Sequence, residues 1–260
     1  MSCLQRAFLF CLVTIFGASS FAQDYSDPLR GDEITVESTQ DLTTSYKERR
    51  KNFGAIFSVN YERYYPSEHV SVIQNKSYEE ISDGQSMPVI GAELGVKYNF
   101  ALGSLAGIFG YGMGHYANEA QNLDGATVKI TKLDLNFALD NLMSEPWIVP
   151  YVQGGIHQLE WEENSFTGSD NVVETLIAKP NLHYKLGVMF QLNWIENWID
   201  PSTTQEGLRS SGLENTYLDV FYTGYSAYAE PDPVVGALGS DDGEANLSSS
   251  GLGLGLKLEF

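Results

Sequence analysis

The sequence predicts an all-β protein: a single closed antiparallel transmembrane β-barrel of about eight strands, with short periplasmic turns and long extracellular loops. Three observations carry this. Apolar and polar residues alternate with period two in about eight separate stretches. The face opposite the apolar one holds glycine, serine and isolated charges of both signs rather than dense solubilising charge. Aromatic residues gather at the ends of the stretches, as they do where barrel strands meet the membrane surface.

The first stretch, FGAIFSVNYER, sets Phe53, Ala55, Phe57, Val59 and Tyr61 against Ser58, Asn60 and Glu62. The second, VIGAELGVKYNF, alternates without a fault from Ile90 to Phe100, with Glu93 and Lys97 on its small-residue face. SLAGIFGYGMGHY is glycine-rich on one face at Gly110, Gly112 and Gly114, and KLDLNFALD turns Leu133, Leu135 and Phe137 away from Lys132 and Asp134. WIVPYVQGGIHQLEW is less regular. HYKLGVMFQLNW opposes Tyr184, Leu186, Val188 and Phe190 to His183, Lys185 and Gln191, and YLDVFYTGY opposes Leu218, Val220 and Tyr222 to Asp219 and Thr223. The chain ends in GLGLGLKLEF, where Leu252, Leu254, Leu256, Leu258 and Phe260 alternate with glycines, Lys257 and Glu259. Each stretch is read as roughly ten residues long, enough to cross a bilayer at a tilt.

The connections take turns in length. SEHVSVIQNKSYEEISDGQS is long, ALGS tight, NEAQNLDGA longer, NLMSEP short, and EENSFTGSDNVVE and EPDPVVGALGSDDGEANLSS are long. One segment, residues 195–215, is long where a short turn is expected; Trp194, Ile195, Trp198 and Ile199 fit one side of a helical turn at a membrane interface, or an irregular loop. A soluble sandwich also alternates. The sparse charge of the second face and the aromatic clusters (Tyr61, Tyr64 and Tyr65; Tyr98 and Phe100; Trp147 and Tyr151; Trp194; Tyr225 and Tyr228) favour a barrel in lipid.

Residues 1–22 read as a secretory signal peptide, with Arg6 before a short apolar run and small residues up to Ala22. A polar lead-in, 23–51, precedes a barrel spanning 52–260. Both cysteines, Cys3 and Cys11, lie in the leader, so the mature chain carries no thiol chemistry. The formal charge is −19, from 15 Lys and Arg against 34 Asp and Glu, and loss of Arg6 makes it one unit more negative. That balance argues against nucleic acid as a partner, whose binding rests on Lys and Arg neutralising phosphates.

GLGLGLKLEF resembles the C-terminal strand of bacterial outer-membrane proteins, with Gly255, Leu258 and Phe260 as the assembly signal. PYVQGGI, Pro150 to Ile156, resembles the fifth strand of small barrels of the OmpA and OmpW type, and HYKLGVMFQL the strand after it. The resemblance implies a bacterial outer-membrane location, contact with outer-membrane lipid and lipopolysaccharide, and recognition of the last strand by the barrel-assembly machinery. Within that family a transporter for small hydrophobic or polar solutes and a lipid A-modifying enzyme are the alternatives to a structural or surface-interaction role.

Nine charged residues are expected inside the barrel: Glu62, Glu93, Lys97, Lys132, Asp134, Lys185, Asp219, Lys257 and Glu259. An eight-stranded barrel is only wide enough for its interior to be filled by side chains, so they are read as a paired core that closes the pore, with a narrow gated channel as the alternative. An opening near Gly110 to Gly114 would favour transport. No catalytic, cofactor or metal site is expected. His69 with Ser71 has a His-x-Ser spacing but falls in the first loop; His157 with Glu160 and His115 with Glu119 read as polar groups at the mouth. GSDDGEAN lacks the spacing of a calcium loop. The outer-loop acids (Glu79, Glu80, Asp83; Glu162, Glu163, Asp170; Asp241, Asp242, Glu244) are read as hydrated.

Overall fold

The computed structural model describes residues 45–71, 73–118, 120, 123–167, 170–193, 212–229 and 245–260, all within the unit Gln40–Phe260. The signal peptide, the lead-in up to residue 44, Trp194 with most of the 195–215 segment, and Asp241, Asp242 and Glu244 lie outside the described residues.

A short helix α1 (Tyr46–Arg49) precedes β1 (Phe53–Tyr64), and α2 (Tyr78–Ser82) lies between β1 and β2 (Met87–Asn99). Then come β3 (Ser104–Asn118), β4 (Leu123–Ala138), β5 (Ile148–Thr167), β6 (Asp170–Ile177), β7 (Asn181–Gln191), β8 (Asn215–Tyr225), the short β9 (Tyr228–Ala229) and β10 (Ala245–Asn246), and β11 (Ser249–Glu259). The sheet order is β4-β3-β2-β1-β11-β8-β7-β5, and β5 pairs back onto β4. Eight strands therefore close a ring in which each neighbour is antiparallel. Closure leaves the ring without an edge, so every wall strand has a hydrogen-bonding partner on both sides.

One strand is added to the ring. β5 runs for 20 residues; its first half pairs with β7, from Ile148–Phe190 to His157–Asn181, and its second half with β6, from Glu160–Ile177 to Thr167–Asp170. The wall strands are mostly longer than the ten residues that alternation suggested, with 16 in β4 and 20 in β5. Two stretches expected as loops are largely strand: NEAQNLDGA keeps only residues 119–122 between β3 and β4, and EENSFTGSDNVVE is the β5–β6 hairpin.

The reason lies in an inversion of polarity along the strands. In the lower part of β4, Leu133, Leu135 and Phe137 face outward, while Lys132, Asp134 and Asn136 are buried. Above Lys132 the phase reverses: Ala126, Val128 and Ile130 are buried, and Thr127, Lys129 and Thr131 take the outer positions. β5 repeats this, with Ile148, Val152 and Ile156 outside below, and Leu159 and Trp161 inside above. The upper wall is a sheet facing water around an apolar core that includes Tyr64, Tyr78, Ile81, Met87, Val128 and Trp161. On its outer face Lys129 bonds Glu160 at 2.7 Å and lies 3.6 Å from Glu162. The Glu160 hydrogen bond pushes the Lys129 ammonium above its ordinary range. Polar residues that look like loop in sequence are the wet face of a strand.

The lower wall carries an apolar band edged by aromatic rings. Phe53, Tyr98, Phe137, Trp147 and Phe260 face outward at the base, and Tyr61, Tyr111, Tyr184 and Tyr222 at the upper limit. From Phe53 to Tyr61 the rise along a strand tilted by ~40° gives a height of about 20 Å, close to a barrel's hydrocarbon-facing belt. Tyr64, Tyr151 and Tyr225, expected in these girdles, instead point inward and are buried. Their phenols find partners among lumen charges or backbone there, which outer positions do not provide.

At Gly155, where β5 packs against β4, a Cβ would overlap the Leu133 carbonyl oxygen and the Asp134 backbone and carboxylate. Gly155→Val is therefore expected to shift the strand pair and prevent most of the chain from reaching the compact form, read as loss of the fast-migrating species on an unheated gel after refolding.

Candidate functional site: the charged lumen

All nine lumen charges expected from sequence are buried, each at 5 % exposure or less. Their partners come from other strands of the ring rather than from along the same strand. At the centre, Glu93 on β2 receives a hydrogen bond from Lys185 on β7 at 2.7 Å and lies 3.4 Å from Lys132 on β4. Ser58 donates to its second oxygen at 3.2 Å. Lys132 continues upward, 4.0 Å from Glu62 and donating at 3.2 Å to the Tyr225 hydroxyl, which donates in turn to Glu62 at 2.7 Å. The face of Gly110 makes room for this group: a Cβ there would press on Glu93 Cγ and Lys132 Cε.

Two branches leave the centre. Lys257 stands 3.8 Å from Asp219, which accepts from the Tyr151 hydroxyl at 2.8 Å, and the Lys257 ammonium lies 4.4 Å from the centre of the Tyr151 ring. Asp134 accepts from Gln153 at 2.9 Å and lies 3.1 Å from His183 Nδ1. His183 stacks on Tyr225 with ring centres 5.3 Å apart, and His157 packs edge-on against the same ring at 5.1 Å. His157 thus belongs to the lumen, while Glu160 faces outward and pairs with Lys129. His115 sits on the outer wall, its Nδ1 3.1 Å from Thr127 Oγ1.

A second network lies at the base. Lys97 on β2 hydrogen-bonds Glu259 on β11 and lies 3.4 Å from Asp140. Tyr46 of α1 donates to Glu259 at 2.7 Å and accepts from Lys97 at 3.0 Å; Tyr217 donates to Glu259 at 3.2 Å. Arg50 reaches Asp140 at 3.2 Å and the Gly103 carbonyl at 2.8 Å. Tyr46, Arg50 and Asp140 were not among the expected lumen residues. Asp140 lies two residues past the end of β4, where alternation puts it on the face of Lys132 and Asp134; Tyr46 and Arg50 precede the first strand and carry no periodic signal. Just above this network the cavity lined by Ile56, Lys97, Asn136, Met189 and Lys257 measures about 20 Å³, space for roughly one water molecule.

At the mouth, the first connection folds back into the apolar core. His69 and Ser71 are buried but do not bond each other; Ser71 donates to Glu163 of β5, and His69 Nε2 lies 3.7 Å from the same carboxylate. With the carboxylate between them, the histidine is not placed to take the serine proton, so the pair pins the loop instead of forming a nucleophile and its base. Glu163, expected as a hydrated loop acid, is 2 % exposed because it receives this bond. Glu79 and Glu80 lie exposed on α2, where Glu80 completes a capping box with Ser77, and Asp83 caps the helix in the left-handed region at φ 52°. Desolvation pushes the Tyr78 phenol of α2 well above its ordinary range, so it stays protonated in the core.

Of the assembly-signal residues, Phe260 closes the ring through backbone bonds with Ala55 at 2.8 and 2.9 Å, Leu258 faces outward, and Gly255 has Asn60 over its inner face.

No family model and no curated protein matches the chain. Among solved structures it is similar to Neisserial surface protein A, at 13 % identity over 81 % of this chain and 98 % of that one, TM-score 0.39. It is also similar to the N-terminal β-barrel domain of Pseudomonas aeruginosa OprF, at 12 % over 80 % and 99 %, TM-score 0.37, and to Ail, the attachment invasion locus protein of Yersinia pestis, at 14 % over 81 % and 100 %, TM-score 0.39. Similarity this low adds no argument to the fold, which rests on the strand pairing above. The chain forms a closed antiparallel barrel of eight strands. On the inner face of the glycine-rich β3, Gly110 faces Glu93 and Lys132, and Gly114 faces Met87 and Val89.

Proposed function

We propose that this protein is an integral outer-membrane barrel of a Gram-negative bacterium whose lumen is closed and whose role is structural or one of surface interaction, without enzymatic activity. The observation that carries the reading is the phase reversal along β4 and β5, which pairs a lower wall that is apolar outside and charged inside with an upper wall built the other way round. Only a chain passing from hydrocarbon to water has a use for both. Closure is supported by the two ion networks, whose charged side chains are buried inside the ring. On this reading the lower belt contacts outer-membrane lipid and lipopolysaccharide, and β11 with its terminal Phe260 is the segment offered to the barrel-assembly machinery. The water-facing upper wall is the surface available to partners. The role of Ser71 as a donor to Glu163, deep in the apolar core, supports a non-enzymatic reading over a lipid A-modifying one.

The test is single-channel recording of the refolded mature chain in a planar bilayer, on a sample whose heat-dependent gel shift confirms the folded barrel. The expected result is a folded protein without discrete conductance steps. Steps that change in Lys97→Ala would mean that the charges line a pore, and the transport reading would replace this one.

A further inference from the structure

On the wall opposite β3 the barrel has an open pocket of about 760 Å³, in the size range of small-ligand sites. It lies where β5 exchanges β7 for β6 as its partner, so that above His183 and Tyr225 the wall is no longer a continuous ladder. Leu182 and Tyr184 belong to its outer rim, at the upper limit of the apolar band; Gly224 is the register partner of Tyr184, and Ser250 that of Gly224. Tyr184 and Tyr228 line it with part-exposed side chains, and the buried Tyr225 borders it from the lumen side. The Tyr184 ring lies over Gly224, where any Cβ would displace it.

The polar part of the lining selects the ligand. Glu68 contributes a carboxylate held by a hydrogen bond from Asn246, and Ser67, Ser249 and Ser250 contribute hydroxyls. His183 Nε2 is sealed from solvent and has no hydrogen-bond partner among the described residues. None of the described lining residues is a lysine or arginine. A phosphate, sulfate or carboxylate would meet Glu68 without a compensating cation. A hydrocarbon would leave the carboxylate, amide and hydroxyls without partners. A pyranose ring, with a C–H face for an aromatic ring and hydroxyls that both donate and accept, uses both halves of the lining.

We propose that the pocket between β5, β7, β8 and β11 binds a neutral saccharide, with Tyr184 as its stacking platform and Glu68 as its principal hydroxyl acceptor. The site goes beyond the scaffold reading and does not depend on whether the lumen conducts. Two sources can supply such a ligand at this height: a free saccharide from the medium, or the sugar headgroup of a neutral glycolipid in the outer leaflet.

The experiment is saturation-transfer NMR on the folded barrel in phosphatidylglycerol nanodiscs, with the methyl glycosides of glucose, galactose, mannose and N-acetylglucosamine as probes. At least one glycoside is expected to receive saturation. Tyr184→Ala and Glu68→Gln, both outside the lumen networks and checked by gel shift, are expected to weaken binding about tenfold each. Displacement of the glycoside by glucosyl diacylglycerol in the nanodisc identifies a lipid headgroup; retention identifies a free saccharide. The proposal fails if no glycoside is saturated, if both variants bind as the wild type does, or if choline is saturated in their place, which would make the pocket a cation site.

Discussion

Glu93→Ala is expected to lower the unfolding free energy of the refolded barrel by about 3–5 kcal/mol, the range for breaking one side of a buried ion pair. Glu93 is the carboxylate on which Lys185 and Lys132 converge, at 2.7 and 3.4 Å. Removing it leaves two ammonium groups inside the wall, the nearest other acid being Glu62 at 4.0 Å from Lys132. Glu93→Gln keeps the hydrogen-bond acceptor and the volume and should cost less. The measurement is urea unfolding in lipid vesicles, followed by tryptophan fluorescence and gel shift. Equal stability of Glu93→Ala and wild type would mean that water enters the centre freely, which would also remove the argument for a closed lumen.

Leu135→Arg and Thr131→Arg place the same side chain on the outer face of the same strand, and the expected difference between them is large. Leu135 is outward-facing in the middle of the apolar band, between Leu133 and Phe137. Arginine there should cost about 2–4 kcal/mol, and about 0–1 kcal/mol at Thr131, where the outer face has already turned polar. The contrast, measured by unfolding from vesicles, locates the lipid boundary on β4. A cost at Thr131 equal to that at Leu135 would place the upper wall in lipid as well; no cost at either would argue against a membrane.

The alternation that made the lower strands legible also hid the upper ones. Within the band, each inward or outward assignment from Phe53 to Tyr61, and again from Leu252 to Phe260, follows from period two, and the nine lumen charges follow with it. Beyond the band the period continues but its phase reverses, so Ile130 and Leu133, three residues apart, lie on opposite faces. Read with one phase, the upper residues of β4 and β5 seem neither apolar nor regular and pass for loop. The signal was present as that odd-numbered spacing, and Ile156 followed by Leu159 repeats it. Pairing across the lumen was not legible, since the distance from Lys97 to Glu259 is set by the closure of the ring and not by any local pattern. The side pocket was equally hidden, because it arises from β5 changing partners.

The base network has a consequence for the order in which the barrel can form. Glu259 belongs to the last strand, Tyr46 to the segment before the first, and Lys97 to the second, and all three meet in one set of hydrogen bonds. Until β11 docks, Lys97 and the Tyr46 hydroxyl both lack the Glu259 carboxylate that joins them, so the floor of a partly built barrel is not yet latched. Insertion of the final strand supplies the missing acceptor and fastens the two ends of the barrel sequence to each other in the same step. The C-terminal residues therefore act as the bolt of the structure, and a chain truncated by its last two residues would leave the floor open even with the wall nearly complete.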